Sequence, residues 1–88
     1  MASYSLAFRP SVEKDLASLP KQAVSRILDR FESLKSDPFT VKSRKLQGAE
    51  RLYRVRVGDY RIVYEVNTDS LLITIHYVRH RRDVYRHL

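Results

Sequence analysis

Two neighbouring stretches of the chain alternate between apolar and polar residues, Leu52–Val57 and Tyr60–Val66. A period of two is typical of β-strands, and the intervening Gly58-Asp59 suits a two-residue hairpin turn. The turn sets the register, and the predicted cross-strand pairs are Tyr53 with Tyr64, Val55 with Ile62, Val57 with Tyr60, and Arg56 with Arg61. Like charges directly opposite one another destabilise a sheet, by roughly 0.2–1 kcal/mol per pair. The arginine pair therefore indicates a surface that holds an anion.

Apolar spacing and chain breakers predict the remaining elements. Residues 24, 27, 28, 31 and 34 are apolar and follow one another at three- and four-residue steps, which predicts one buried helical stripe. The elements predicted besides the hairpin are a strand over Ser3–Phe8, a helix over Val12–Ser18 capped by Ser11, a helix from Pro20 to Ser36, a basic loop over Phe39–Glu50, a strand over Leu71–Val78 and a short helix or turn from Arg81.

These elements predict an α+β fold in a single domain, residues 1–88. An N-terminal strand and a helical hairpin pack on one face of a mostly antiparallel four-stranded sheet, and a short helix ends the chain. If Val66 pairs with Leu71 across the Asn67–Ser70 turn, Arg61 lies opposite His76, and the apolar face of the hairpin continues into the last strand.

Composition narrows the class of partner. The chain has no cysteine, no uninterrupted apolar leader and no run long enough to cross a membrane, so we expect a cytoplasmic protein and no membrane partner. The net charge is +7, and residues 41–88 carry eleven Lys and Arg against five Asp and Glu. Nine of those eleven are arginine, whose planar fork suits phosphate. Nucleic acid or an acidic protein is therefore the expected partner.

The polar face of the predicted sheet carries Arg54, Arg56, Arg61 and His76, and the following tail adds further basic residues with Tyr85. An ordinary solvated face is the alternative, although such a face usually mixes charge signs. Cleavage of RNA through the ribose 2′-hydroxyl needs a base, an acid and cations around the phosphate, but no metal. His80 is the candidate for proton transfer, against the alternative of an ordinary surface histidine. The sequence shows no metal-ligand spacing and no phosphate-binding glycine loop, so we expect no metal and no cofactor.

Two runs, LYRVRVGDYRIVYEV at 52–66 and HRRDVYR at 80–86, resemble the RelE branch of the RelE/ParE toxin superfamily, and the resemblance extends over the whole chain. It implies a toxin of a toxin–antitoxin pair, a ribosome-dependent endoribonuclease (mRNA interferase) that cleaves mRNA in the A site and inhibits translation. It also implies a RelB-like antitoxin that neutralises the toxin, with operator DNA bound only through the toxin–antitoxin complex.

The resemblance also assigns residues by position. Arg61 matches a phosphate-contacting arginine, Arg81 a later basic residue, and Tyr85 a tyrosine that stacks on the mRNA base. Arg54 and Arg56 stand where relatives often have lysine, and because arginine is a poor base this shifts the acid–base role toward His80. The predicted site is therefore Arg61, Arg81, Tyr85 and His80 for catalysis, with Arg54, Arg56, Lys45 and Arg82 for RNA phosphate. The alternatives are a ParE-like inhibitor of DNA gyrase and a non-catalytic module that binds nucleic acid or antitoxin.

Overall fold

The computed structural model describes residues 3–40, 42–48 and 50–80 of the chain. In chain order the elements are β1 (Ser5–Phe8), α1 (Pro10–Ala17), α2 (Lys21–Ser36), β2 (Ser43–Lys45), β3 (Leu52–Val57), β4 (Tyr60–Asn67) and β5 (Leu72–His80). The helix predicted from Arg81 lies outside the described residues. Over the ranges that are described, no helix is both long enough and apolar enough to span a membrane.

The strands form one sheet in the order β1-β5-β4-β3-β2, in which β1 runs parallel to β5 and the other neighbours are antiparallel. This confirms the α+β class, but the sheet has five strands rather than the four predicted. The additional strand, β2, lies inside the stretch Phe39–Glu50 that was predicted to be a loop. Its sequence, Ser-Arg-Lys, has no apolar alternation, so pairing with β3 makes it a strand.

Both helices begin beside a proline. α1 begins at Pro10, with Arg9 as its N-cap residue, because the fixed φ of proline suits the first helical turn. The prediction that Ser11 caps this helix was therefore wrong, and the Ser11 hydroxyl instead donates a long hydrogen bond of 3.5 Å to the carbonyl of His76. α2 begins directly after Pro20 and ends at Ser36, as predicted.

One face of the sheet is covered by the helices, and the core lies between them. α2 buries Ile27, Phe31 and Leu34 at the predicted spacing, whereas Leu28 of the same stripe is 47% exposed. Fully burying an aliphatic or aromatic side chain contributes about 1.5–3 kcal/mol, so this face provides most of the stability. The residues that the sheet contributes to the core are Val55, Ile62, Tyr64, Val66, Ile73, Ile75 and Val78.

The β3–β4 hairpin has the predicted register, including Arg56 opposite Arg61 and Tyr53 opposite Tyr64. Gly58 has a φ of +59° at the first turn position. This is the position at which a type II′ hairpin turn needs glycine. The turn therefore follows directly from the Gly-Asp pair.

The predicted register between β4 and β5 was wrong. The Asn67 side chain accepts hydrogen bonds from the backbone N–H groups of Asp69 and Ser70, both 3.0 Å, and the turn extends through Leu71. Val66 consequently pairs with Ile73 rather than with Leu71, and a bulge beside Val63 and Tyr64 shifts the pairing by one further residue. The result is that Arg61 lies opposite Arg79, not opposite His76.

Candidate nucleic-acid interface

The face of the sheet opposite the helices carries two rows of arginines. Residues paired across neighbouring strands point to the same side of a sheet, so the register defines these rows. Arg44 on β2 lies opposite Arg54 on β3, and one step further along Arg56, Arg61 and Arg79 follow one another across β3, β4 and β5. We call these five residues the arginine face. They bring five positive charges onto one side of a small sheet.

A hollow of about 150 Å³ lies at the β2–β4 end of the arginine face. One water takes about 30 Å³ in the liquid, so the hollow has room for a phosphate-sized anion. Among the residues that the structure describes, none that lines it is a carboxylate. The residues that line it are Lys42, Arg44, Arg54, Val55, Arg56 and Arg61. We call this hollow the basic pocket.

Backbone contacts orient two of the arginines around this pocket. The Arg56 Nε donates to the carbonyl of Gly58 at 2.7 Å, and the Arg44 Nη1 donates to the carbonyl of Ser43 at 3.1 Å. Each bond uses only one of the five N–H donors of its guanidinium. Arg56 is exposed, while Arg54 and Arg61 are half-buried. Partial burial strengthens the attraction of these charges for an anion because water screens them less.

The acidic residue on this face, Glu65, is paired with a histidine. Its Oε1 lies 3.2 Å from Nε2 of His76, the extra residue of the bulge in β5. Glu65 stands two residues along β4 from Val63 and four from Arg61, away from the lining of the basic pocket. Within the described ranges, no group of three or more His, Asp and Glu residues could hold a metal ion.

The β5 end of the arginine face combines an arginine with an aromatic ring. The guanidinium carbon of Arg79 lies 4.4 Å from the ring centre of Tyr77, which is cation–π distance. Tyr77 stands opposite Val63, and Arg79 stands opposite Arg61. The row of Arg44 and Arg54 therefore continues across Val63 to Tyr77. The other row, which begins with Arg56 and Arg61, ends at Arg79.

Two predicted site residues lie away from the basic pocket. His80 pairs with Tyr60, and the two rings meet edge to face at 5.4 Å between centroids, on the side of the sheet that packs against the core. Lys45 pairs with Tyr53 and lines a separate open hollow beside Gly48. The structure thus brings together Arg54, Arg56 and Arg61, but neither His80 nor Lys45. The other predicted residues, Arg81, Arg82 and Tyr85, lie outside the described residues.

Three basic residues of this surface were missing from the predicted site, namely Lys42, Arg44 and Arg79. Lys42 and Arg44 fall in the stretch predicted to be a loop, where no pairing partner was expected. Arg79 was placed beyond the last strand, whereas β5 continues to His80. The sequence contained one signal for Arg79, since it lies two residues after Tyr77 and so shares a face of the strand with it. The bulge hid this signal because it shifts the register by one residue.

Tyr64 anchors the segment that leads into β2 by a hydrogen bond. Its hydroxyl donates to the carbonyl of Pro38 at 2.7 Å, and the Tyr64 side chain is fully buried. Burial raises the pKa of Tyr64 above its ordinary value of 10.0, which outweighs an opposing hydrogen bond with Ser43. The neutral phenol is thus a stable anchor, and it positions the strand that carries Arg44.

Comparison with known proteins gives consistent matches over almost the whole chain. Residues 6–85 match a family model described as the ParE toxin of the type II toxin–antitoxin system parDE. The chain is 29% identical over 86 residues to the putative toxin RelE1 of Methanocaldococcus jannaschii, covering 94% of this chain and 96% of that protein. It is 30% identical over 82 residues to toxin RelE3 of the same organism, covering 89% and 91%.

A solved structure gives the same match in three dimensions. The chain superimposes on an archaeal RelE–RelB complex from Pyrococcus horikoshii with a TM-score of 0.81 and 34% identity. The match covers 90% of this chain and 96% of the chain in that structure.

Proposed function

Because this chain belongs to the RelE/ParE toxin superfamily, on its RelE branch, and is thus a toxin of a toxin–antitoxin system, we propose that it is a ribosome-dependent endoribonuclease. It cleaves mRNA in the ribosomal A site by attack of a ribose 2′-hydroxyl on the adjacent phosphate, and so inhibits translation. The single observation that carries this proposal is the basic pocket, a space of phosphate size that, over the described part of the chain, is lined by five cationic side chains and no carboxylate.

The pocket supplies charge stabilisation. During 2′-hydroxyl attack, negative charge builds on the non-bridging oxygens of the phosphate, and preorganised cations lower the energy of that state. Arg61 is the central group, because it lies beside Arg56 and lines the pocket together with Arg54. An arginine fork can donate two parallel hydrogen bonds to a phosphate, which also orients the scissile bond. We assign Arg54, Arg56 and Arg61 to this role.

Proton transfer needs groups other than these arginines, whose pKa lies above about 12. The proposed mechanism needs no metal, since a base on the 2′-hydroxyl and an acid on the leaving oxygen are sufficient. His80 keeps its predicted role only if RNA reaches the side of the sheet on which Tyr60 lies. A His80→Gln variant tests this role, because it keeps a side chain of similar reach but cannot titrate near neutral pH.

The tail completes the proposed site. We assign Arg81 and Arg82 to RNA phosphate and Tyr85 to stacking on an mRNA base, on the basis of the HRRDVYR run. Aromatic stacking on unpaired bases is a common mode of single-strand recognition. Lys45, which lies beside Gly48 outside the basic pocket, is assigned to more distant RNA or ribosome contacts.

The proposed partners follow from the same charge pattern. Relatives of this chain have been solved together with RelB antitoxins, which supports a RelB-like antitoxin for this toxin. An acidic segment of such an antitoxin would neutralise the arginine face and exclude RNA from it. Operator DNA would be bound only by the toxin–antitoxin complex, and the toxin would act in the cytoplasm, where ribosomes are.

Mapping the 5′ ends of ribosome-bound mRNA after induction of the protein tests this function. We expect growth to stop and new 5′ ends to appear within codons. The triple variant Arg61→Ala, Arg81→Ala, Tyr85→Ala should produce neither effect, and Arg26→Ala, which removes an exposed arginine from α2, should retain both. Full toxicity of the triple variant would rule out this mechanism.

Inhibition of DNA gyrase is the second candidate, because the matching family model is described for ParE toxins. The relatives at 29–30% identity are named as RelE toxins, which favours cleavage of mRNA. Measurements of plasmid supercoiling and of mRNA cleavage in the same induced cells distinguish the two functions. Loss of plasmid supercoiling with intact mRNA would select the gyrase function, and cut mRNA with normal supercoiling would exclude it.

A further inference from the structure

We propose that Tyr77 and Arg79 form a second phosphate contact for single-stranded RNA, next to the phosphate held in the basic pocket. We call this pair the β5 clamp. The inference rests on the proposed function, since it takes the bound anion to be an RNA strand. It adds two residues that the predicted site does not contain and gives the strand a direction across the sheet.

Arg79 extends the row of arginines beyond the basic pocket. Arg79 is the third member of the row that Arg56 and Arg61 begin, but it does not line the basic pocket. Neighbouring strands lie about 4.8 Å apart, so the row extends the positive surface by one strand spacing beyond Arg61. A strand whose scissile phosphate occupies the pocket therefore meets Arg79 as it crosses β5. The clamp is a separate contact on the same path.

The Arg79 guanidinium packs against the ring of Tyr77. Its carbon lies 4.4 Å from the ring centre of Tyr77, and both residues are half-buried. Contact with the face of the ring leaves the N–H donors at the edge of the guanidinium plane, where a phosphate can accept two of them. The ring also reduces the rotamer freedom of a long side chain, so less entropy is lost when the anion binds. Tyr77 is a positioning residue for Arg79.

The charges around Arg79 also favour an anion. Glu32 is paired with Lys35 and Glu65 with His76, so these two carboxylates are engaged away from Arg79. Arg79 meanwhile faces the positive charge of Arg61 across β4. Two like charges held opposite one another favour binding of an anion between or above them, because the anion removes their repulsion. Both features favour an external anion at the clamp.

Single-stranded RNA is favoured over an acidic peptide because the contacts repeat along a line. An RNA strand carries one phosphate per nucleotide at regular intervals, which suits one cationic site in the pocket and another on the next strand of the sheet. A peptide contact is a distinguishable outcome, because it would leave RNA binding independent of Arg79.

The salt dependence of RNA binding tests the clamp. The probe is a short single-stranded RNA with 2′-O-methyl groups, which cannot be cleaved, and the dissociation constant is measured between 50 and 200 mM salt. Each phosphate contact on a single strand contributes a slope of about −0.7 to the plot of log affinity against log salt. Arg79→Ala should therefore make this slope shallower by about 0.7. The wild type binds more tightly than the variant at 50 mM salt, and this advantage should shrink about 2.6-fold on going to 200 mM.

Paired substitutions isolate the positioning role of the ring. Tyr77→Phe keeps the aromatic face and should bind as the wild type does, whereas Tyr77→Leu should weaken binding. Arg26→Ala on α2 is the charge-matched control and should leave the slope unchanged. Circular dichroism confirms that each variant is folded.

Two results would contradict the clamp. These are an unchanged slope in Arg79→Ala, and equal affinities of Tyr77→Leu and Tyr77→Phe. Failure of the proposed function appears differently, as a wild-type protein whose RNA affinity does not respond to salt, or as an Arg61→Ala variant with the wild-type slope.

Discussion

Arg56, Arg61 and Arg79 stand in one row, and each neighbouring pair sets two positive charges opposite one another. Without an anion each pair opposes sheet formation by roughly 0.2–1 kcal/mol. Anything that binds the folded row and not the unfolded chain stabilises the protein. The Arg56–Arg61 pair was predictable, because a two-residue turn fixes the register of the hairpin. The Arg61–Arg79 pair was not, because it depends on a bulge that adds one residue without changing the hydrophobic pattern.

Charge reversal at Arg56 measures this repulsion. In Arg56→Glu the repulsion across β3 and β4 becomes attraction, so we expect the free energy of unfolding at low salt to rise by about 0.5–1 kcal/mol. For a domain of this size the change corresponds to a melting temperature higher by about 2–8 °C. Arg56→Gln removes the charge without reversing it, so its free energy of unfolding should lie between those of the wild type and Arg56→Glu. Salt at 1 M NaCl should reduce all these differences. A variant less stable than the wild type at every salt concentration would contradict the repulsion.

At the scale of elements, β2 and β5 determine the site, and both depend on tertiary contacts. β2 has three polar residues and is a strand only because it pairs with β3. β5 extends two residues beyond its predicted end at Val78 and carries Arg79 into the sheet. The hairpin, the helical stripe of α2 and the α+β class were predictable, because each depends on local periodicity or a turn. β2 and the β5 register were not, because each depends on a partner strand.

Tyr64 links β4 to the chain that enters β2, and its titration gives an element-scale prediction. Because its pKa is raised in the folded protein, its contribution to stability is complete below pH 10 and is lost as the pH rises through the raised pKa. Tyr64→Phe should cost about 1–3 kcal/mol at neutral pH, since the carbonyl of Pro38 loses a buried partner.

The measurement is chemical denaturation of both proteins from pH 7 to 11. Above pH 10 the stability of the wild type should fall more steeply than that of Tyr64→Phe. Parallel curves over that range would show that this phenol does not anchor β4.

At the scale of the whole molecule, the two faces of the sheet have opposite character. One face buries the core, and the other carries the like charges of the arginine face. The family follows from the sequence and its similarity to known toxins, whereas the pocket follows from the register of the strands. Both support phosphate as the proposed ligand. The proton-transfer groups could not be predicted in the same way, because His80 lies across the sheet from Arg61.

The most direct test is cleavage by the purified protein on ribosomes programmed with an mRNA of known A-site codon. We predict a cut within that codon that leaves a 2′,3′-cyclic phosphate or a 3′-phosphate and a 5′-hydroxyl, and no cut in the same mRNA without ribosomes. Loss of one charge-stabilising group typically slows catalysis about 10²–10³-fold, so Arg61→Ala should be slower by that factor, while Arg26→Ala should match the wild type. A 5′-phosphate product, or an Arg61→Ala variant that cleaves at the wild-type rate, would contradict this account.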